Sequence, residues 1–203
     1  MTEEQENRQK ILDAAFAEFA DKGFRGATIK SIAQRAGLQS PSLIYWYFPT
    51  KENLFQATVE SRSPFNEAIL DPAPFLDRPP DEVLAQLAQN YLNFMSQPDI
   101  QKLVRLFLSE VGKRPQLANL VSEGLMKPAL GFLQTYLSHQ TDAGQLQPHD
   151  VRFSARAFMG LLVPQVFGLL FFPQLRMEEV PDETYVQNMV KIVLNGLQPK
   201  TEG

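Results

Sequence analysis

One stretch of thirty residues concentrates the groups that can do chemistry. Residues 22–51 hold Lys22, Arg25, Lys30, Arg35 and Lys51 and not one Asp or Glu, a local net charge of +5. Phe24, Tyr45, Trp46, Tyr47 and Phe48 lie within the same stretch. Cations and hydroxyls of this kind neutralise and bond phosphates, while short polar side chains at a helix start approach base edges in a major groove. The free N–H groups of a helix N-terminus offer a phosphate a further site. A solvated basic face on an ordinary bundle has the same composition. The Ala33–Gly37 turn between two short helices favours nucleic-acid reading over that alternative.

Other chemistry finds little support. With no cysteine there is no disulfide framework, thiol nucleophile or Cys-ligated metal. His139 and His149 lie ten residues apart and near no acidic cluster, so an all-protein transition-metal site is not expected. No serine–histidine–acid order, phosphate-cradling glycine loop or pair of carboxylates on one face emerges, so neither an enzyme nor a cofactor is expected. A helical adaptor acting through protein partners, without a small-molecule inducer, is the competing class. It has no reason to exclude every acid from residues 22–51.

The elements that must position these groups are helical nearly throughout. Ile11, Leu12, Ala15, Phe16 and Phe19 recur at three- and four-residue steps, which predicts a first helix over about 3–21 that stops at Gly23. Thr28 can cap a second helix carrying Ile29, Ile32 and Ala33 and ending at Gly37. Ser40-Pro41 reads as N-cap and first-turn proline of a third helix through Tyr47. Thr50 opens a fourth, running to about residue 62. Residues 63–80 hold five prolines and form a seam, in which Asn66–Leu70 can still be a helical turn. Beyond it the spacing predicts helices near 81–96, 99–113, 116–140, 148–171 and 181–197. The fold class is all-α, with about nine helices.

At 203 residues and 44% hydrophobic content the chain can bury a core without staples. Its N-terminus lacks the apolar stretch of a signal peptide. The most apolar run, Ala157–Phe172, is broken by Pro164 and Gln165 and reads as a buried helix rather than a span. A cytoplasmic protein with no membrane partner is expected. The net charge of −4 speaks at first against a polyanion partner. Residues 1–62, however, carry eight cations and eight acids, so the whole deficit lies in residues 63–203.

Ile11-Leu12-Asp13-Ala14-Ala15, Phe19, Gly23-Phe24, Thr28, Ile32-Ala33, Ala36-Gly37, Leu43-Ile44-Tyr45-Trp46-Tyr47-Phe48 and Lys51-Glu52-Asn53-Leu54 together resemble the N-terminal domain of TetR/AcrR-family transcriptional regulators. The resemblance covers about residues 6–62. It implies a homodimeric, usually repressive regulator with a three-helix DNA-binding head, residues 1–50, and a helical ligand-binding and dimerisation body, residues 51–203. By position it implies that Thr28 contacts a phosphate and that Lys30 reaches a base edge or phosphate. Gln39, Ser40 and Ser42 would face the major groove. Tyr45 and Tyr47 would donate hydroxyls to phosphates, and Lys51 would bind the DNA backbone. Trp46 and Phe48 are expected to be core or support residues. The turn from Gly37 to Tyr45 is one residue longer than the commonest family form. If the extra residue lies in the turn, the recognition helix keeps its face; if it lies in the helix, side chains before Tyr45 rotate by about 100°.

The body is less explicit. Leu103–Glu110 followed by Arg114-Pro115, and Gly144-Gln145-Leu146, resemble one subgroup of family bodies. Its phenylalanines can fill a core or line a pocket for an apolar or aromatic effector. The candidate lining is Arg105, Phe107, Glu110, Phe132, Phe158 and Gln165. Helices 148–171, with Gly160 and Gly168, and 181–197, with Tyr185, Val186, Met189, Val190, Val193 and Leu194, suggest a four-helix dimer contact. A dimer suits a palindromic operator in double-stranded DNA, since one short recognition helix supplies few contacts.

Overall fold

In the computed structural model, residues 2–176 and 180–197 are described, and among them every regular element is helical. The order is α1 (Glu3–Gly26), α2 (Ile29–Arg35), α3 (Ser42–Tyr47), α4 (Lys51–Ser61), α5 (Asn66–Leu70), α6 (Ala73–Leu76) and α7 (Pro80–Met95). There follow α8 (Pro98–Val111), α9 (Pro115–Val121), a π turn (Ser122–Met126), α10 (Lys127–Asp142), α11 (Val151–Leu170), a 3₁₀ turn (Pro173–Leu175) and α12 (Asp182–Leu197). The all-α class is as expected. The higher helix number comes from two short helices in the proline-rich seam and from the π turn, which divides the helix expected over 116–140.

The chain forms two compact units. One comprises the residues up to Ser63 together with Gln97–Met126; the other comprises Pro64–Ser96 and the chain from Lys127. This division does not follow the boundary at residues 50 and 51. Leu54 and Phe55 of α4 are buried in the same cluster as Ile11, Phe19, Ile32, Ile44 and Phe48, and Leu103, Leu120 and Val121 pack against it. Phe19, Phe24 and Phe55 form an aromatic triangle, with centroids 5.1–5.9 Å apart and two edge-to-face contacts. Each such pair adds about 0.5–1.5 kcal/mol beyond the area it buries. Helix α4 and the segment α8–α9 are therefore part of the platform under α2 and α3.

Helix ends follow the local signals. Regular α1 geometry breaks at Gly23, whose φ of +69° and ψ of 174° are open to glycine and costly for other residues. Thr28 and Ser31 cap α2 reciprocally: the Ser31 N–H donates to Thr28 Oγ1 at 3.0 Å, and the Thr28 N–H donates to Ser31 Oγ at 3.1 Å. The Asn53 N–H donates to Thr50 Oγ1, capping α4. Helix α3 departs from expectation. Pro41 is its N-cap and Ser42 its first residue, while Ser40 Oγ accepts from the Ser42 N–H at 3.2 Å. The Leu38 N–H donates to Ala33 O, Gly37 sits at φ +68°, and helical dihedrals begin at Pro41. Residues 36–41 thus form the turn, and α3 runs from Ser42 to Tyr47.

The second unit is built on Leu84, Leu87 and Leu92 of α7, Leu133 and Tyr136 of α10, Phe158 and Leu162 of α11, and Val186, Met189, Val190 and Leu194 of α12. The Tyr136 hydroxyl donates to Arg78 O, and Gln140 donates to Leu76 O and Arg78 O, fixing the turn that enters α7. Helix α11 is long and apolar enough to cross a membrane by length and composition, and half of its most apolar window is buried in the fold. Its exposed side chains include Phe153, Val163 and Phe167 at helical spacing, and Gly160 faces open space. Two expectations for a dimer face change here. Gly168 is buried under the returning chain, where a Cβ would lie 2.6 Å from that of Arg176. Val186, Met189, Val190 and Leu194 are buried within their own chain, and Ile192 is the large apolar side chain that α12 exposes.

Candidate nucleic-acid interface

The surface made by α2, the turn and α3 is polar and open. Thr28, Lys30, Gln39, Ser40, Ser42 and Tyr45 are exposed, as are Arg25 and Gln34. Ile32, Ala33, Ile44 and Phe48 point inward and fill the core beneath them. A two-helix unit held from below in this way leaves its outer side chains to a partner.

The charge of this surface is smaller than the window of thirty residues implies. Arg35 Nη1 lies 3.0 Å from Glu18 Oε1 and 2.8 Å from Asp21 Oδ2, and Lys22 Nζ lies 2.7 Å from Glu18 Oε2. Both acids come from α1, outside the acid-free window. Burial pushes the Glu18 carboxyl up, but hydrogen bonds from Lys22, Ser31 and Arg35 outweigh it and hold the carboxyl below the usual range. The hydrogen bond to Asp21, then that to Glu18, raises the Arg35 guanidinium above its ordinary value. Lys22 and Arg35 thus brace α1 against α2, which leaves Arg25 in the last turn of α1 and Lys30 in the first turn of α2 as exposed cations.

Two predicted phosphate ligands have partners inside the protein. Lys51 Nζ donates to Ala27 O at 2.5 Å and reaches Arg25 O at 3.4 Å, and it stands 4.7 Å from the Phe24 ring centroid. Burial pulls this ammonium below the usual lysine value; Arg114 adds to the effect, while Glu52 and Glu110 oppose it. Lys51 therefore clasps the turn that precedes Thr28. The Tyr47 hydroxyl donates to Glu4 O at 3.3 Å, tying α3 to the start of α1.

Trp46 corrects an expectation. It is 65% exposed, whereas Phe48 is buried as foreseen. Ile44 within the six-residue α3 and its C-cap Phe48 suffice to face the core, and Trp46, two residues after Ile44, is turned outward.

Residues 11–58 match the sequence profile of the bacterial regulatory proteins of the tetR family, and residues 82–196 match that of the AefR-like transcriptional repressor C-terminal domain. The chain belongs to the TetR family of transcriptional regulators. The HTH-type transcriptional regulator SrpR of Pseudomonas putida is 28% identical over 173 residues, which cover 83% of this chain and 76% of that protein. RutR of Escherichia coli (strain K12) is 26% identical over 203 residues, covering 95% and 91% of the two chains. The crystal structure of a TetR-family regulator from Mesorhizobium loti MAFF303099 is 25% identical and aligns with a TM-score of 0.76, covering 98% of this chain and all of that one. In this TetR-family chain α2 and α3 are the helix-turn-helix, and its function is DNA-binding transcriptional regulation.

The six residues suggested for an effector pocket fall in both units. Arg105, Phe107 and Glu110 lie on α8, in the unit that carries the helix-turn-helix. Phe132, Phe158 and Gln165 lie on α10 and α11, and all three are buried. Phe132 packs edge-to-face on Phe75 and stacks on Tyr136. Glu110 has a further position that its sequence context did not signal. Its Oε1 stands 2.9 Å from where a Cβ on Gly23 would be, at the break in α1.

Proposed function

We propose that this TetR-family chain is a cytoplasmic homodimeric repressor that binds a palindromic operator in double-stranded DNA and leaves it when a small apolar or aromatic effector binds. In this reading residues 1–50 bind DNA, and residues 51–203 hold the effector and form the dimer. No catalytic step is assigned to the chain. The observation that carries the reading is the exposed set Thr28, Lys30, Gln39, Ser40, Ser42 and Tyr45 above a helix-turn-helix core. Hydroxyls and a cation at the start of α2 suit phosphates, and short polar side chains before and at the start of α3 suit base edges. Lys51 acts first by holding the Arg25–Ala27 carbonyls and hence the cap of α2. An N–H not used on those carbonyls remains for a phosphate.

The exposed stripe of Phe153, Val163 and Phe167, with Ile192 of α12, supports the dimer. Such a stripe on one helix is self-complementary across a two-fold axis, and the open Gly160 permits close approach. Arg105, Phe107, Glu110, Phe132, Phe158 and Gln165 are the candidate effector residues. Helix α8 packs on α1 with Leu106 and Glu110 against Gly23. Movement of α8 is thereby felt at the break in α1 and, through Glu110, near Lys51. Coupling of this kind requires that the effector bind the two states of the protein with different affinity.

The test is selection of genomic DNA fragments by the purified chain, followed by titration of apolar and aromatic small molecules against the bound fragment. Release by a saturating effector supports the reading. Unchanged operator affinity at saturation contradicts it.

A further inference from the structure

Trp46 is the single tryptophan of the chain. On α3 the buried side chain is Ile44, two residues before Trp46, and the C-cap Phe48, just past the end of the helix, is buried as well. Two residues turn a helix by about 200°, so Trp46 lies on the side of α3 away from the buried Ile44. Ser42, one turn earlier, shares that outward side, and Tyr45 flanks it. The indole packs edge-to-face on Tyr47, with centroids 4.6 Å apart and planes at 88°. Tyr47 is itself anchored through its hydroxyl to Glu4 O. The ring is thus oriented by a fixed neighbour while 65% of the residue stays in water.

The core does not need this ring, and its polar surroundings do not cover it. Gln39, Ser40 and Ser42 are the exposed polar side chains before it, and Arg25 in the last turn of α1 and Lys30 in the first turn of α2 are exposed cations. An indole presents an apolar edge and one N–H donor, and it has no acceptor. In a major groove most base-edge groups are hydrogen-bond donors or acceptors. The C5 methyl of thymine is the apolar one.

Resting on the reading that α3 enters the major groove, we infer that Trp46 is a specificity-determining residue that reads the C5 methyl of one thymine in each half-site. Gln39, Ser40 and Ser42 serve the polar base edges, and Trp46 adds an apolar contact that they cannot make. Trp46→Ala then relaxes preference at one position and leaves the phosphate contacts in place.

The experiment uses the full chain and a duplex that it selects from genomic fragments. Each thymine is replaced in turn, symmetrically in both half-sites, by uracil, which deletes the methyl and keeps the pairing. Affinity is read by fluorescence anisotropy. The expected result is one symmetric position where uracil weakens binding by about fourfold per half-site, the effect of one buried methyl. In Trp46→Ala that dependence vanishes while the salt dependence is kept. Equal affinity for every uracil duplex in the wild-type chain overturns the inference, and so does an undiminished uracil effect in Trp46→Ala. Failure of the wild-type chain to select any duplex overturns the DNA-binding reading beneath it.

Discussion

Gly23 of α1 leaves the space that the Glu110 carboxylate of α8 occupies. Oε1 stands 2.9 Å from the point where a Cβ at position 23 would lie, and Oε2 is buried without a hydrogen-bond partner. The break in α1 is thus both a backbone requirement, at φ +69°, and a seat for a charged side chain from the helix packed across it. Gly23→Ala meets both penalties. It is expected to destabilise the fold by about 1–3 kcal/mol, the cost of holding a non-glycine residue in a sparsely populated conformation. Urea denaturation checks the value. A loss below about 0.5 kcal/mol contradicts the strained geometry, since such a loss is typical of an ordinary surface change.

Lys51 separates two roles that sequence alone runs together. As a phosphate ligand only, its loss would leave the free protein unaffected. As the clasp on Ala27 O and Arg25 O, its loss frees carbonyls at the turn before α2. Lys51→Ala is expected to lower stability by roughly 1–2 kcal/mol, the range for a hydrogen bond to a charged group at a partly buried site. It is also expected to weaken DNA binding similarly for all sequences. Unchanged denaturation with weakened DNA binding would assign Lys51 to phosphate alone.

Acid should loosen the brace between α1 and α2. The folded Glu18 carboxyl lies below its ordinary value of 4.5, because hydrogen bonds from Lys22, Ser31 and Arg35 outweigh the burial that opposes them. A carboxyl depressed on folding stabilises the protein above its unfolded value, and that contribution disappears as pH falls through the folded one. Unfolding free energies of wild type and Glu18→Gln are therefore expected to differ by about 1–2 kcal/mol at pH 7, allowing for the partial exposure of both cations. The gap between the two should shrink as pH falls below 4.5 toward the folded value. A gap of constant size from pH 7 to pH 3 contradicts the assignment.

The positions of these groups explain what could be read in advance. Apolar spacing of three and four, the Thr28 and Thr50 caps and the Gly23 stop are local signals, and the helices follow them. The partners of Arg35 lie 14 and 17 residues upstream on another helix, so a count over consecutive residues made the head look more cationic than it is. The carbonyls held by Lys51 are 24 and 26 residues away, and backbone acceptors leave no trace in residue type. The outward position of Trp46 is not legible in the sequence, because the six residues of α3 make fewer than two turns, too short for periodicity to set a face. The π turn at Ser122–Met126 has no sequence signature of its own. Gly124 within it stands against Gln56 and Glu60 of α4, where a Cβ would lie 3.1–3.2 Å from their side-chain carbons.

The proposed dimer depends on a stripe that the isolated chain leaves in water. Val163 is 48% exposed, so a charge there costs the monomer little. Across a two-fold axis it is buried twice. Val163→Asp is expected to weaken self-association by at least about tenfold, with helical content unchanged by circular dichroism. Sedimentation of both proteins over a range of concentrations checks this. Equal association in the two argues against α11 as the contact.

The account rests above all on this helix-turn-helix engaging DNA through phosphates. The direct measurement is binding of selected genomic duplexes at increasing salt. A dimer neutralising roughly six phosphates is expected to lose about 10³-fold or more in affinity between about 50 and 200 mM salt. Binding that is absent at low salt, or that does not change across this range, contradicts the account.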